Sequence, residues 1–229
     1  MTKARIAGFF YLLVFITGLF GFFIGGKFVV LGDPVATATN LLAHETAFRL
    51  GWVMTLVATA CYVVVTGLFY DLFRPVNKIL SITAAFFSLV GCALGAVNPI
   101  FQIGAMNMLT DQHYSSVFTP DQIRANALML LRESAQLSNI GLVFFGFYCL
   151  LIGSLILKAT FLPRALGIGM LLAGLGWLTF LWPPVTQFLF PYNVAPGMLG
   201  EASLTLWLLI VGVNDERWKQ QLIAIPEQR

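Results

Sequence analysis

The chain has 229 residues, of which 59% are hydrophobic and only 10% are charged, with a mean hydropathy of +0.86 and a net charge of +3. Soluble domains are about 45–50% apolar and about 25% charged, because their surface must face water. This composition therefore excludes a soluble globular domain and favours an integral membrane protein. The small net charge, without a basic patch, also excludes a nucleic-acid partner.

Long charge-free runs fill most of the chain, and a spanning helix needs about 20 apolar residues to cross about 30 Å of hydrocarbon. They predict about six spans, at 6–26, 50–70, 79–107, 137–157, 165–190 and 198–213. The first run follows Lys3 and Arg5 but exceeds a signal-peptide core of about 7–15 residues, which indicates a retained helix. The sequence thus predicts an all-α, polytopic transmembrane helix bundle, with residues 1–229 in a single transmembrane domain.

Several turn and cap signals refine these spans. Pro99 predicts a kink in the third span, and the Trp-Pro-Pro sequence at 182–184 predicts a stop or bend in the fifth. Asp33 before a proline reads as an N-cap, and Thr119 with Gln122 reads as a capping box. Because no Pro or Gly stop follows either cap before the next span, we expect two long unbroken helices, at about 34–73 and 120–158.

The second and fourth spans share a spacing that suggests a serial arrangement. Glu45 precedes Pro75 by the same interval as Glu133 precedes Pro163, and Glu201 begins the predicted sixth span. In each hairpin, a helix that crosses the membrane in one direction would be followed by a helix that crosses back and has a glutamate near its start. The pattern suggests three helical hairpins in series, with internal duplication as one explanation and coincidence of helix lengths as the other.

Lysine and arginine predict the orientation, since cytoplasmic loops are enriched in them. With six spans, one side would hold Lys3, Arg5, Arg74, Lys78, Lys158, Arg164, Arg217, Lys219 and Arg229. The other side would hold only Lys27, Arg49, Arg124 and Arg132. This asymmetry predicts that both termini are cytoplasmic and that the opposite, more acidic side faces outward.

Short motifs along most of the chain resemble a known family. They are His-Glu at 44–45, Phe-Arg-Leu-Gly at 48–51, Leu-Phe-Arg-Pro-Val-Asn at 72–77, Gly-Leu-Val-Phe-Phe-Gly at 141–146, Leu-Pro-Arg at 162–164 with Leu-Gly at 166–167, and Leu-Ala-Gly-Leu-Gly at 172–176. Together they resemble the uncharacterised bacterial membrane-protein family catalogued as domain of unknown function 4386. Members often carry a histidine shortly before the 141–146 motif, where this chain has Ser134, Gln136 and Ser138. The resemblance implies a bacterial inner membrane and no particular activity.

Polar residues near the outer ends of the predicted spans are the candidate site. Ionisable groups at membrane depth usually face the bundle interior or a wet cavity. We therefore expect a ligand-binding vestibule on the outer side, formed by His44, Glu45, Arg49, Asn98, Gln102, Arg132, Glu133 and Gln136. The alternative is that these groups only pair with one another and fix the helix register.

Three functions remain open on the sequence alone. The first is binding of a small molecule or lipid at the outer vestibule, with or without transport. The second is an intramembrane enzyme that uses His44 and Glu45, although no nucleophile elbow or paired intramembrane aspartate is present. The third is a structural partner of another membrane protein. Cys61, Cys92 and Cys149 lack ligand spacing, so no metal or other cofactor is predicted, and membrane lipids are the expected partners. The sequence does not indicate an oligomeric state.

Overall fold

The computed structural model describes residues 2–223, whose regular structure is helical throughout. The helices are α1 (Thr2–Lys27), α2 (Pro34–Ala43), α3 (Glu45–Phe73), α4 (Lys78–Val97), α5 (Pro99–Thr110), α6 (Gln112–Ser115), α7 (Pro120–Lys158), α8 (Arg164–Leu178), α9 (Pro183–Leu189), α10 (Val194–Ile210) and α11 (Asp215–Ile223). A single 3-10 turn, Thr179–Leu181, follows α8. Arg229, which the sequence assigns to the more basic side, lies outside the described residues.

Five elements are long and apolar enough to cross a membrane: α1, α3, α4 continued by α5, α7, and α8 with its 3-10 turn. Helix α10 has 17 residues, a length of about 25 Å, and together with α11 it is the candidate for a sixth span. Helix α11 leaves α10 at an angle of 102°, so the two do not form one straight span. The predicted all-α polytopic bundle is confirmed, and the protein is a multi-pass membrane protein.

The helix breaks at prolines follow the sequence closely. The third span bends between Val97 and Pro99, because the proline ring removes a backbone donor and crowds the preceding turn. The fifth span ends before the Trp-Pro-Pro sequence, and α9 begins at Pro183. Helix α7 covers the whole predicted range, and its capping box is formed: Thr119 N donates to Gln122 Oε1 at 2.9 Å, and Gln122 N donates to Thr119 Oγ1 at 3.4 Å.

The prediction of another long helix at 34–73 is wrong, because the helix is interrupted at His44. This residue has φ −128° and ψ 33°, and it separates α2 from α3. Its ring stacks on Phe28 with centroids 4.8 Å apart, and α2 turns aside to pack against α5 and α7. The break therefore comes from tertiary contacts rather than from a local Pro or Gly signal.

The six spans form a closed ring in chain order. Helix α1 packs on α3, α3 on α4, α4 on α7, α7 on α8 and α8 on α10, and α10 packs back on α1. Within this ring, α1 with α3, α4 with α7, and α8 with α10 are the three predicted serial hairpins. Whether they arose by duplication stays a prediction.

The two ends of the ring differ in charge and in closure. The basic end is defined as the end where α1 begins and where α3 and α7 finish; there Lys3 and Arg74 both pair with Asp71, at 2.7 and 3.0 Å. Helix α11 lies across this end: Trp218 Nε1 donates to Leu72 O at 2.9 Å, and Gln221 Nε2 donates to Lys158 O at 3.3 Å. These bonds satisfy carbonyls in the last turns of α3 and α7. The opposite, or acidic, end holds α2, α6 and α9.

Ring closure between α1 and α10 depends on one glycine. A Cβ built on Gly8 would lie 2.5 Å from Leu209 N and 2.8 Å from Leu209 Cα. These are backbone atoms that cannot move aside as a flexible side chain can, so the two helices touch at a point where only glycine fits.

Replacing Gly8 with alanine should therefore lower the free energy of unfolding by about 1–3 kcal/mol, the usual cost of overpacking. Denaturant titration of the purified protein in detergent measures this effect. Gly67→Ala is the matched control, since a Cβ there meets nothing within 4 Å. Equal stability of the two variants would contradict a tight contact at Gly8.

Candidate ligand cavity and buried carboxyl

Three of the predicted site residues lie together where α3 begins. Glu45 Oε1 accepts a hydrogen bond from Arg49 Nε at 2.8 Å, and both side chains are about 40% exposed. His44 is an exposed residue, and its Nδ1 lies 3.0 Å from Asn40 O. The Glu45–Arg49 pair is thus a surface ion pair on one helix.

Another three predicted residues occupy an outward face of α7. Arg132, Glu133 and Gln136 are all exposed. Between them, Ser134 is buried and turns toward α4 and α5. The polar residues of this segment are therefore divided between the outer surface and the helix interface.

The remaining two predicted residues bind α7 from the bend in the third span. Asn98 Nδ2 donates to Ser134 O at 2.9 Å and to Ser138 Oγ at 2.6 Å, and its Oδ1 accepts from Ser134 Oγ at 2.5 Å. Gln102 Nε2 donates to Ser134 Oγ at 3.1 Å. This network fixes the position of the bend against α7.

A cavity of about 590 Å³ lies inside the ring. All six spans line it, and its walls are mainly apolar. Of the eight predicted residues, Asn98 alone lies on its wall, near Ser138 and Asn139. For the other seven, contact with a ligand stays a prediction.

Glu201 lies on the wall of this cavity, in the middle of α10, and its side chain is buried. Trp177 Nε1 donates to its Oε1 at 2.6 Å, and the Tyr11 and Tyr62 hydroxyls donate to its Oε2 at 2.5 and 3.3 Å. The donors come from α8, α1 and α3, so four spans meet at one carboxyl group. Tyr11 lies about 14 Å along α1 from the first residue of that helix, which places the Glu201 carboxyl near mid-membrane.

No basic residue within 2–223, whether lysine, arginine or histidine, pairs with the carboxyl of Glu201. Its neighbours are neutral donors, together with the buried Tyr148 and Cys149. The site is therefore an acceptor surrounded by aromatic groups, at the wall of an apolar chamber.

The cavity reaches the outside of the bundle near three phenylalanines. Phe22 and Phe23 on α1 and Phe190 before α10 all line it, yet they are 73%, 66% and 61% exposed. Toward the basic end the same two helices touch at Gly8. The opening therefore lies between the acidic-end half of α1 and the start of α10, at the level of an apolar belt of phenylalanines.

Two other kinds of site have less support than the interior cavity. Within residues 2–223, no three His, Cys, Asp or Glu side chains converge as a metal centre requires. A second cavity, of about 420 Å³, lies at the basic end between the 160–163 loop and the end of α10, with Arg217 on its rim. It is lined from fewer elements than the interior cavity, so the interior cavity is the candidate site.

The site predicted from the sequence did not include the carboxyl cluster. Glu201 was expected at the outer entry of the sixth span, but α10 begins at Val194, so this residue lies about two turns inside the helix. Trp177, the donor to its Oε1, was not among the predicted site residues, and it is 6% exposed. The signal that could have found the cluster is the intramembrane carboxylate itself.

Comparison with known proteins identifies the family without an activity. The family profile named "Domain of unknown function (DUF4386)" matches residues 6–212, and the chain belongs to this family. A protein of Archaeoglobus fulgidus called "Uncharacterized protein" is 26% identical over 146 residues, which cover 62% of this chain and 72% of that protein. No solved structure matches the chain.

Removing the acceptor should destabilise the ring. Glu201→Leu leaves Trp177, Tyr11 and Tyr62 without their acceptor, so we expect the free energy of unfolding in detergent to fall by about 2 kcal/mol. Glu45→Leu, which breaks only the exposed pair with Arg49, should change it by less than about 1 kcal/mol. Similar losses in both variants would argue against a central role for the buried carboxyl.

Proposed function

We propose that this member of the DUF4386 family binds one small lipophilic molecule in its interior cavity. The observation that supports the proposal is a chamber of about 590 Å³ lined by every span, since ligand pockets commonly measure about 300–1,000 Å³. Its walls are mostly apolar, while Asn98 and Glu201 place polar groups at separate points. This combination suits a molecule with an apolar body and a limited polar part.

The route into the cavity favours a ligand that comes from the membrane. Phe22, Phe23 and Phe190 surround the opening and are largely exposed. Phenylalanines at this depth face acyl chains rather than water. A molecule dissolved in the bilayer would thus reach the cavity without crossing an aqueous phase.

Transport is the second candidate, and one observation favours it. The cavity opens toward the acidic-end half of the ring, while the contact of Gly8 with α10 closes the basic-end half. Such one-sided closure is what a single state of an alternating-access carrier requires. The enzymatic alternative has less support, because neither His44 nor Glu45 lines the cavity.

Blocking the cavity is the direct test of binding. A Cβ on Gly18 touches only Ala58 Cβ, at 3.8 Å, so the ring of Gly18→Phe has room to project into the chamber. We expect native mass spectrometry of protein extracted gently from membranes to show one lipophilic adduct per chain. Gly18→Phe should reduce its occupancy by about tenfold, equivalent to about 1.4 kcal/mol.

Gly67→Phe is the matched control, because it adds the same ring at an exposed position of α3 outside the cavity. Its adduct should match that of the parent protein. Equal adducts in both variants, or no adduct on the parent protein, would count against binding in the interior cavity.

For the orientation we propose that the basic end and both termini face the cytoplasm of a bacterial inner membrane. The support is the excess of lysine and arginine at that end, including Lys3, Arg74 and Lys158. It follows that the opening of the cavity belongs to the outer half of the bilayer.

Cysteine labelling tests this orientation. Asp121, whose side chain is 89% exposed, lies at the acidic end, and Lys78 is exposed at the basic end. In intact cells a membrane-impermeant maleimide should label Asp121→Cys, and it should label Lys78→Cys only after lysis. The parent protein, with its three native cysteines, is the control, and the reverse labelling pattern would overturn the assignment.

A further inference from the structure

We infer, on the basis of the proposed function, that the cavity takes a lipophilic cation without hydrogen-bond donors, of the phosphonium or quaternary ammonium class, with Glu201 as its counter-charge. Three features of the cavity wall lead to this class. They are an acidic group without a basic partner, carboxyl oxygens that already accept hydrogen bonds from the protein, and aromatic side chains around the carboxyl group.

The first feature of the cavity wall is its acidic group. Glu201 lies on the cavity wall, and among the described residues it forms no ion pair. An ionised carboxylate in apolar surroundings is costly unless an opposite charge lies near it. A monovalent cation in the cavity would supply that charge, whereas an anionic molecule would meet repulsion.

The hydrogen bonds narrow the kind of cation. Oε1 of Glu201 accepts from Trp177, and Oε2 accepts from Tyr11 and Tyr62. A primary ammonium group needs acceptors for three donors, but three of the about four lone-pair sites of this carboxylate are already occupied. A phosphonium or quaternary ammonium donates no hydrogen bond, so it can approach the carboxylate without displacing the protein donors.

The aromatic groups on the wall complete the match. Phe15, Tyr62, Phe145 and Trp177 all line the same chamber as Glu201, and the Tyr62 and Phe145 rings are 4.5 Å apart between centroids. Ring faces attract cations, and onium groups are commonly recognised by such aromatic surrounds. The apolar remainder of the cavity would hold the hydrocarbon substituents, and the phenylalanine-lined opening would admit them.

A pair of probes that differ in charge tests the inference. Tetraphenylphosphonium is the cation, and triphenylphosphine oxide is a neutral compound with a similar aryl body. Each is titrated by calorimetry into the full chain in nanodiscs of neutral lipid, with empty nanodiscs as the blank. We expect the parent protein to bind the cation about tenfold more tightly or better, which is a difference of about 1.4 kcal/mol.

Variants of Glu201 then test whether its negative charge causes the preference for the cationic probe. Glu201→Gln should lose the preference for the cation while keeping its affinity for the neutral probe, which also shows that the cavity is intact. Glu201→Asp should retain the preference. Glu45→Gln is the matched control, because it removes one negative charge outside the cavity and should leave both affinities unchanged.

The outcomes of these titrations decide the inference of a cationic ligand separately from the proposed binding function. Equal binding of the two probes by the parent protein, or an undiminished preference in Glu201→Gln, overturns the inference of a cationic ligand and leaves cavity binding standing. Failure of the parent protein to bind either probe also overturns the inference. The proposed function is decided separately, by the native adduct of the Gly18→Phe and Gly67→Phe variants.

Discussion

A carboxyl group inside an apolar ring of helices must find its partners within the protein, since lipid offers none. Glu201 meets this requirement with donors from three other spans: Tyr11 on α1, Tyr62 on α3 and Trp177 on α8. Four helices therefore have to hold one relative depth and rotation. Apolar packing alone would allow helices to slide or turn with little penalty, so this cluster gives the ring its register.

Most of the fold follows from the sequence, because the apolar runs and proline positions correspond directly to spans and breaks. The two departures have different physical reasons. His44 ends α2 through stacking on Phe28, and contacts between distant segments leave no mark in a local pattern. Helix α10 begins before Pro196 rather than after it, because the first turn of a helix has amide groups without intrahelical acceptors and tolerates a proline there.

The candidate site was much less predictable than the fold. Polarity pointed to residues such as Glu45 and Glu133, but a polar group at the edge of a membrane can be satisfied by water or by a neighbour on its own helix. The cavity face of α1 includes Tyr11, Phe15 and Phe22, and such a stripe cannot be told from ordinary packing in a sequence. Asn98 could be found because an amide at a proline bend is both polar and deep.

The closure of the ring by α10 against α1 has a consequence for biosynthesis. The acceptor for the Tyr11 hydroxyl lies 190 residues further along the chain. At translation rates of about 5–20 residues per second, the first helix waits roughly 10–40 s for its last neighbour. During that interval the nascent hairpins exist as an open arc with Tyr11 exposed to lipid or to the insertion machinery. Only the arrival of α10 turns the arc into a ring and encloses the chamber.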